Sequence, residues 1–414
     1  MVNKLKSITL LGSSSGRNAG DAALISCIME AVDSEVGKDL LYEIPTINPK
    51  FVRESYPQRT KPIGMKPWNL SLMMLGFPTM YSLLRTDMSL IFDQILFDRS
   101  LYNPFFNYLS SLGFLLPIAK KKGKLVGLYN VGIGPISTSQ GERILRSVLD
   151  LADFISVRDI DSYQIVKDLG GDQSKLFLGA DAAFNSEMAP DNRIDEIYET
   201  IDLDPGGEIL GINVNAYMDT WVRSKEEQMG VKKFVSIYSA ALNKVMSELS
   251  VPVLFVLTQH MDIKIANAIM DELRFKDRIR VVSNVTYHHK EIMGVLSRVQ
   301  MLFGMRLHSL ILSSTSCVPV VGLLQQPKIA YFFKILGLSD YVLTFDNFTP
   351  ESIRNHIMNG WENRHTIKRR LENRIPELKK QSRKVSELIG MLSRGEDVNS
   401  ALQAVSRDNE RLNS

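Results

Sequence analysis

From residue 209 onward the sequence alternates between two periodicities, and this limits the fold more than any other feature. Short apolar runs occupy 209–214, 253–257, 279–282, 300–303 and 318–322. Segments with helical spacing of apolar residues fill 234–249, 263–273, 289–297 and 309–314. A strand that is apolar on both faces must be covered on both. Strands of this kind separated by helices therefore predict a parallel sheet with helices on each side. The N-terminal part repeats the theme. A strand at 8–11 runs into the small-residue loop 12–21 and a helix at 22–32. Further strands are read at 125–131, 154–157 and 176–178, and a helix at 160–169 is closed by Gly170 and Gly171.

Between 188 and 207 the texture turns to Pro, Asp, Asn and Glu and ends in Asp204-Pro205-Gly206-Gly207, the composition of a connector. The chain is accordingly divided into a Rossmann-like domain at 1–195, a second at 206–360, and a charged helical tail at 361–414. A length of 414 residues exceeds one ordinary core and suits two. Two parallel-sheet α/β domains in series predict a two-lobed protein with an interdomain cleft, a common place for ligands. In the tail, Lys368, Arg369, Arg370, Arg374, Lys379, Lys380, Arg383 and Lys384 read as a solvated helix face, with contact to anionic lipid or diphosphate as the alternative.

Composition narrows the function. A formal charge of +3 gives no basic face for nucleic acid, so no nucleic-acid partner is expected. Cys27 and Cys317 support neither a disulfide framework nor a zinc site, which favours a reducing, cytoplasmic compartment. The N-terminus lacks the long apolar core of a signal peptide. No stretch reaches the roughly 18 apolar residues of a membrane span. Two greasy segments, 68–84 and 101–119, end at Lys120, Lys121 and Lys122. They read as buried helices of the first domain, or as an interfacial patch giving peripheral contact with the cytosolic membrane face.

The loop 12–21 lies at the carboxyl end of a strand and before a helix N-terminus, where open α/β sheets bind ligands and amides favour an anion or a hydroxyl. It satisfies no nucleotide motif. Asp21 within it reads equally as a helix cap and as a catalytic carboxylate. The sharper segment is Gly304-Met305-Arg306-Leu307-His308-Ser309, again between an apolar strand and a helix. A guanidinium there can bind a carboxylate or phosphate through two parallel bonds, and an imidazole can transfer a proton near neutral pH. Taken alone, Arg306 and His308 are also compatible with a satisfied structural pair. Arg158 follows the strand 154–157 and reads either as an anion ligand or as a surface partner of Asp159 or Asp161. The six histidines show no metal-ligand spacing, so no metal is expected, and His288 and His289 read as solvent-exposed residues at a helix start.

These segments resemble the polysaccharide pyruvyltransferase family over most of the chain. The stretch Gly12 to Ala22, the block 155–162 with Gly170, Asp181 in Gly179-Ala180-Asp181-Ala182-Ala183-Phe184, and Arg306 to His308 followed by Val318-Pro319 stand in the family's order. The resemblance implies a fold similar to the two-lobed GT-B type, with the first domain as acceptor side and the second as donor side. It implies phosphoenolpyruvate as donor, a saccharide as acceptor, free or lipid-linked, a pyruvate ketal as product and no cofactor. By position, Arg158 and Arg306 would hold the donor's carboxylate and phosphate, the Leu307 amide would add a backbone donor, and His308 would act on the phosphate or as acid/base. Asp21 or Asp181 would take the acceptor's proton, with Asn18 and Gly20 in the opening loop on the substrate. Where the family often has Tyr-x-x-Lys, this chain reads Gln325-Gln326-Pro327-Lys328, so Lys328 departs from the pattern. The competing readings are a GT-B glycosyltransferase using a nucleotide sugar, and a non-catalytic protein on the same fold.

Overall fold

A computed structural model describes residues 5–57, 59–65, 76–101 and 107–412, with side chains to residue 406. Parts of both greasy segments, 68–75 and 102–106, lie outside the described residues, as do the first residues of the N-terminus.

The chain folds into two compact units. Unit 1 takes residues up to Gly16, then Leu24–Asn185, then Leu378 onward; unit 2 takes Arg17–Ala23 and Ser186–Glu377. Residues 17–23 thus group with unit 2, and the segment read as a tail divides between the two.

Unit 1 holds a parallel sheet of seven strands: β1 (Ser7–Leu11), β2 (Leu41–Thr46), β3 (Thr60–Gly64), β4 (Met88–Ile91), β5 (Leu125–Val131), β6 (Phe154–Val157) and β7 (Leu176–Leu178). Their order is β3-β2-β1-β4-β5-β6-β7. Helices α1 (Ala19–Val36), α2 (Pro49–Ser55), α3 (Gly76–Arg85), α4 (Leu109–Lys121), α5 (Ser139–Leu151) and α6 (Ile160–Asp168) connect them, the first turn of α1 belonging to unit 2. Strands β4, β5 and β6 are buried almost throughout, as parallel strands covered on both faces must be. Leu109, Leu112, Leu115 and Leu116 of α4 are buried in this core, so the second greasy segment is largely a core helix. Lys120 at its end is ion-paired with Asp153 at 2.8 Å. Phe77, Tyr81 and Phe114 remain exposed. Among the described residues no helix is long and apolar enough to cross a membrane.

Unit 2 carries a second parallel sheet: β8 (Leu210–Asn213), β9 (Val253–Leu257), β10 (Ile279–Ser283), β11 (Met301–Gly304), β12 (Val320–Leu323) and β13 (Val342–Leu343), in the order β10-β9-β8-β11-β12-β13. Its helices are α7 (Asp191–Thr200), α8 (Val231–Glu248), α9 (Ile263–Asp271), α10 (His289–Leu296), α11 (Leu307–Thr315), α12 (Pro327–Ile335) and α13 (Pro350–Glu362). Phe234 and Tyr238 of α8 stack with Phe303 and Phe348 to fill one side of the sheet. Helix α7 occupies the stretch read as a connector. Helix α14 (Arg364–Ser393) begins in unit 2 and ends in unit 1, with Pro376 inside it, and α15 (Val398–Leu412) follows. Of the basic residues of α14 read as a solvated face, Lys368, Arg369, Arg370, Lys380 and Arg383 are exposed, whereas Arg374 and Lys379 are half-buried. Arg370 and Arg374 donate to the Gly337 and Ile335 carbonyls at the end of α12, each at 2.9 Å, and Lys384 is buried.

Candidate active site

Strands β9, β8, β11 and β12 are neighbours in the unit 2 sheet, so the segments that leave their carboxyl ends also lie side by side. Asn213, the last residue of β8, ties three of them. Its Nδ2 donates to the Val256 carbonyl at 2.8 Å, and its Oδ1 accepts the Arg306 amide at 3.0 Å. Arg306 is the N-cap residue of α11, in extended conformation, directly after β11 and Met305. Leu307 and His308 open the helix, where amides lack intrahelical acceptors; the Leu310 amide returns to the Arg306 carbonyl at 3.2 Å.

The Arg306 guanidinium is held side-on by a buried carboxylate. Nε donates to Asp262 Oδ2 at 2.7 Å and Nη2 to Asp262 Oδ1 at 2.6 Å. The Tyr217 ring lies over it, 5.9 Å from Cζ to centroid, a cation–π arrangement. Asp262 is wholly shielded from solvent, whereas the Arg306 side chain keeps 13% of its surface exposed.

The opening loop lies along the same sheet edge. Ala19 donates to the Thr258 carbonyl at 2.8 Å and His260 to the Arg17 carbonyl at 3.2 Å, just past β9. Asn284 Nδ2 also donates to the Arg17 carbonyl, at 2.9 Å. The Thr258 hydroxyl meets the Ser309 hydroxyl at 2.9 Å, joining this segment to α11. Asn18 caps α1: its Oδ1 accepts the Gly20 amide at 2.9 Å and its carbonyl the Ala22 amide at 3.2 Å. Gly20 packs on the His308 imidazole so closely that a Cβ there would collide with Cβ, Cγ and Nδ1 of the histidine. Asp21 follows in the first turn, half-buried. Lys328, also half-buried, is the second residue of α12, one strand further along the edge.

Seven residues singled out in the sequence therefore belong to unit 2: Asn18, Gly20, Asp21, Arg306, Leu307, His308 and Lys328. The other two, Arg158 and Asp181, meet in unit 1. Arg158 Nη1 donates to Asp181 Oδ2 at 2.7 Å, with both side chains 5% exposed. Gln94 Oε1 accepts from Nη2 at 3.3 Å, and Asp159 lies 3.9 Å from Nε. Gly132 closes over the head group, since a Cβ at that position would stand 2.9 Å from Nη2. Burial alone would lower the Arg158 pKa, but Asp181, Asp93 and Asp159 around it outweigh that and raise it. A surface pair with Asp159 or Asp161 is thus replaced by a buried pair with Asp181, while Asp159 caps α6 by accepting the Ser162 amide at 2.7 Å.

The two adjacent histidines also depart from expectation. His288 is half-buried and His289 only 4% exposed, with ring centroids 3.9 Å apart. They sit at the start of α10, where His288 is the N-cap residue and forms a capping box with Glu291, rather than in open solvent. Neither ring nitrogen of His289 has a hydrogen-bond partner among the described residues. Burial first, then His288 and Lys290, holds its pKa well below the ordinary histidine value. No group of three His, Cys, Asp or Glu side chains arranged to hold a metal ion occurs among the described residues.

Sequence reasoning missed Asp262, Tyr217 and Asn213. Asn213 had a signal, an amide inside an apolar strand. Asp262 had a weaker one, a carboxylate a few residues past the strand 253–257.

With this geometry in hand, the polysaccharide pyruvyl transferase family profile matches residues 18–327, from the cap of α1 to the start of α12. The chain belongs to that family. No match is found among curated proteins. Solved structures with a similar fold include a UDP-GlcNAc 2-epimerase from Neisseria meningitidis bound to UDP-GlcNAc, at 10% identity and TM-score 0.65 over 94% of this chain and 100% of that one. Another is a UDP-GlcNAc 2-epimerase from Methanocaldococcus jannaschii, at 10% identity and TM-score 0.59 over 86% and 92%. A third is S. aureus MnaA with UDP, at 11% identity and TM-score 0.61 over 94% and 97%. At such identity the likeness shows the fold, two parallel-sheet α/β domains of the GT-B type, and nothing of the substrate.

Proposed function

We propose that this polysaccharide pyruvyl transferase moves the pyruvyl group of phosphoenolpyruvate onto two hydroxyls of a saccharide, forming a ketal and releasing phosphate. The observation that carries the reading is the convergence of Arg306, the first amides of α11 and His308 with the capped turn Asn18 to Asp21 on one sheet edge. A phosphorylated, carboxylated donor needs a guanidinium and amide donors, and enol chemistry needs a proton source beside them.

The reaction balances as follows. C3 of the enol gains a proton as the first sugar hydroxyl adds to C2 and loses its own. The bond from C2 to the phosphate oxygen then breaks with its electron pair going to phosphate, and the second hydroxyl adds to C2 and gives up its proton. Phosphate leaves carrying one proton. Arg306 and the Leu307 amide stabilise the charge that gathers on the leaving group. His308 supplies or takes a proton, and Asp21, beside Gly20, is assigned the acceptor hydroxyl. Arg158, paired with Asp181 as Arg306 is paired with Asp262, keeps its proposed place as the second donor ligand. A cytoplasmic location is part of this proposal, since phosphoenolpyruvate is its donor.

The test is phosphate release from phosphoenolpyruvate with a panel of saccharide acceptors. Acceptor-dependent release that is lost in His308→Ala, with a strongly raised donor KM in Arg306→Ala, supports the reading. No thermal stabilisation by phosphoenolpyruvate, together with clear stabilisation by uridine or guanosine diphosphate, replaces it with sugar transfer.

A further inference from the structure

Arg306 has five N–H groups in a planar fork. Two of them, on Nε and Nη2, point at Asp262. That leaves the end of the fork, one N–H on each of Nη1 and Nη2, able to meet an anion with two parallel bonds. Which end faces outward is decided by Asp262. The carboxylate is in turn fixed, because Oδ1 also accepts the Ala216 amide at 2.9 Å in the loop that follows β8. The next residue of that loop, Tyr217, covers the guanidinium and has its own amide held by Asn215 Oδ1 at 2.9 Å. One buried side chain therefore joins the ends of β8, β9 and β11 and aims the arginine. Its complete burial keeps it from reaching a substrate.

We infer that Asp262 is a positioning residue for anion capture, orienting Arg306 so that the free end of its fork receives the donor's phosphate or carboxylate. This rests on the reading of Arg306 as a donor ligand. In Asp262→Asn one acceptor becomes a donor facing the guanidinium, so the fork swings away without a change in side-chain size. The donor KM should rise about 10- to 100-fold, the loss of one or two charge-assisted bonds, with kcat changed less.

The decisive experiment is chemical rescue. In Arg306→Ala, free guanidinium at millimolar concentration should restore part of the phosphate release, because the Asp262 carboxylate still cradles it, and methylamine should not. In Arg306→Ala/Asp262→Asn guanidinium should restore nothing. Equal rescue in both proteins, equal rescue by methylamine, or a wild-type donor KM in folded Asp262→Asn overturns the inference. Because methylamine is compared in Arg306→Ala itself, the test survives if Asp262→Asn does not fold. If wild-type protein releases no phosphate from phosphoenolpyruvate, it is the proposed reaction that fails. Calorimetric binding of inorganic phosphate then decides the positioning role: wild-type-like affinity in Asp262→Asn, or no binding to wild type, overturns it.

Discussion

Replacing Gly20 by alanine should destabilise the protein, although the position lies in the first turn of a helix where alanine is normally the better residue. Gly20 has no left-handed backbone to excuse it, so the effect comes from contact alone. The added methyl would fall within 3.0 Å of three His308 atoms, a distance that Cβ atoms do not breach. Two of these atoms are at the base of the ring, which cannot swing clear without carrying α11 with it. Overpacking of this kind costs about 1–3 kcal/mol. Taking the upper end, and about 1 kcal/mol returned by helix propensity, leaves a net loss of about 2 kcal/mol. That lowers a melting midpoint by about 4–8 °C for a domain of ordinary two-hundred-residue size. Scanning calorimetry of Gly20→Ala, His308→Gly and the double variant reads it directly. In the His308→Gly background, which removes all three clashing atoms, the alanine should become neutral or stabilising, a reversal of sign that only a direct clash produces. A single Gly20→Ala variant that melts at or above the wild-type midpoint would refute the packing argument.

Further outcomes follow from the same structure. Asp181→Ala should cost about 3–5 kcal/mol in urea unfolding, because it strands a buried guanidinium, and Arg158→Met/Asp181→Leu should recover most of it; a cost below about 1 kcal/mol in the single variant would contradict the buried pair. The unfolded chain protonates His289 near the ordinary value of about 6.5 while the folded chain resists, so stability should fall as pH drops from 7 towards 5. His289→Leu should flatten that slope, and an unchanged profile would place the proton elsewhere. Exposed Phe77, Tyr81 and Phe114 with Lys121 and Lys122 should give salt-sensitive sedimentation with anionic liposomes, and indifference to liposomes at low salt removes the membrane from the account.

Every strand read from the sequence is present within a residue or two, because each is a mainly apolar run. β5 and β6 match residue for residue. Of the described strands, β2, β3, β4 and β13 escaped reading: β4 and β13 are only four and two residues long, and β2 and β3 break the apolar pattern. β2 carries Glu43 and Pro45, and Glu43 is tolerated at 1% exposure only because Ser82 donates to it at 2.6 Å and Arg85 Nε at 2.9 Å. β3 is an edge strand with Pro62 in it, which an edge allows. These partners are distant in sequence, so no local pattern announces them. The site was legible to the same degree. Arg306 and His308 stand out at a strand-to-helix junction, but Asp262 joins them only through the sheet order, which places β9 and β11 on either side of β8. The grouping of Asn18 and Gly20 with unit 2 was hidden for the same reason.

Neither unit is a continuous stretch of the gene. A chimera of two relatives joined near residue 186 would exchange almost all of unit 2 while leaving residues 17–23 with the other parent. His308 would then meet a foreign residue 20, and the backbone pairing of 17–19 with 258–260 would be assembled from two ancestries. Productive recombinants must inherit the opening loop and the Arg306 segment together, so two segments nearly three hundred positions apart behave as one heritable block.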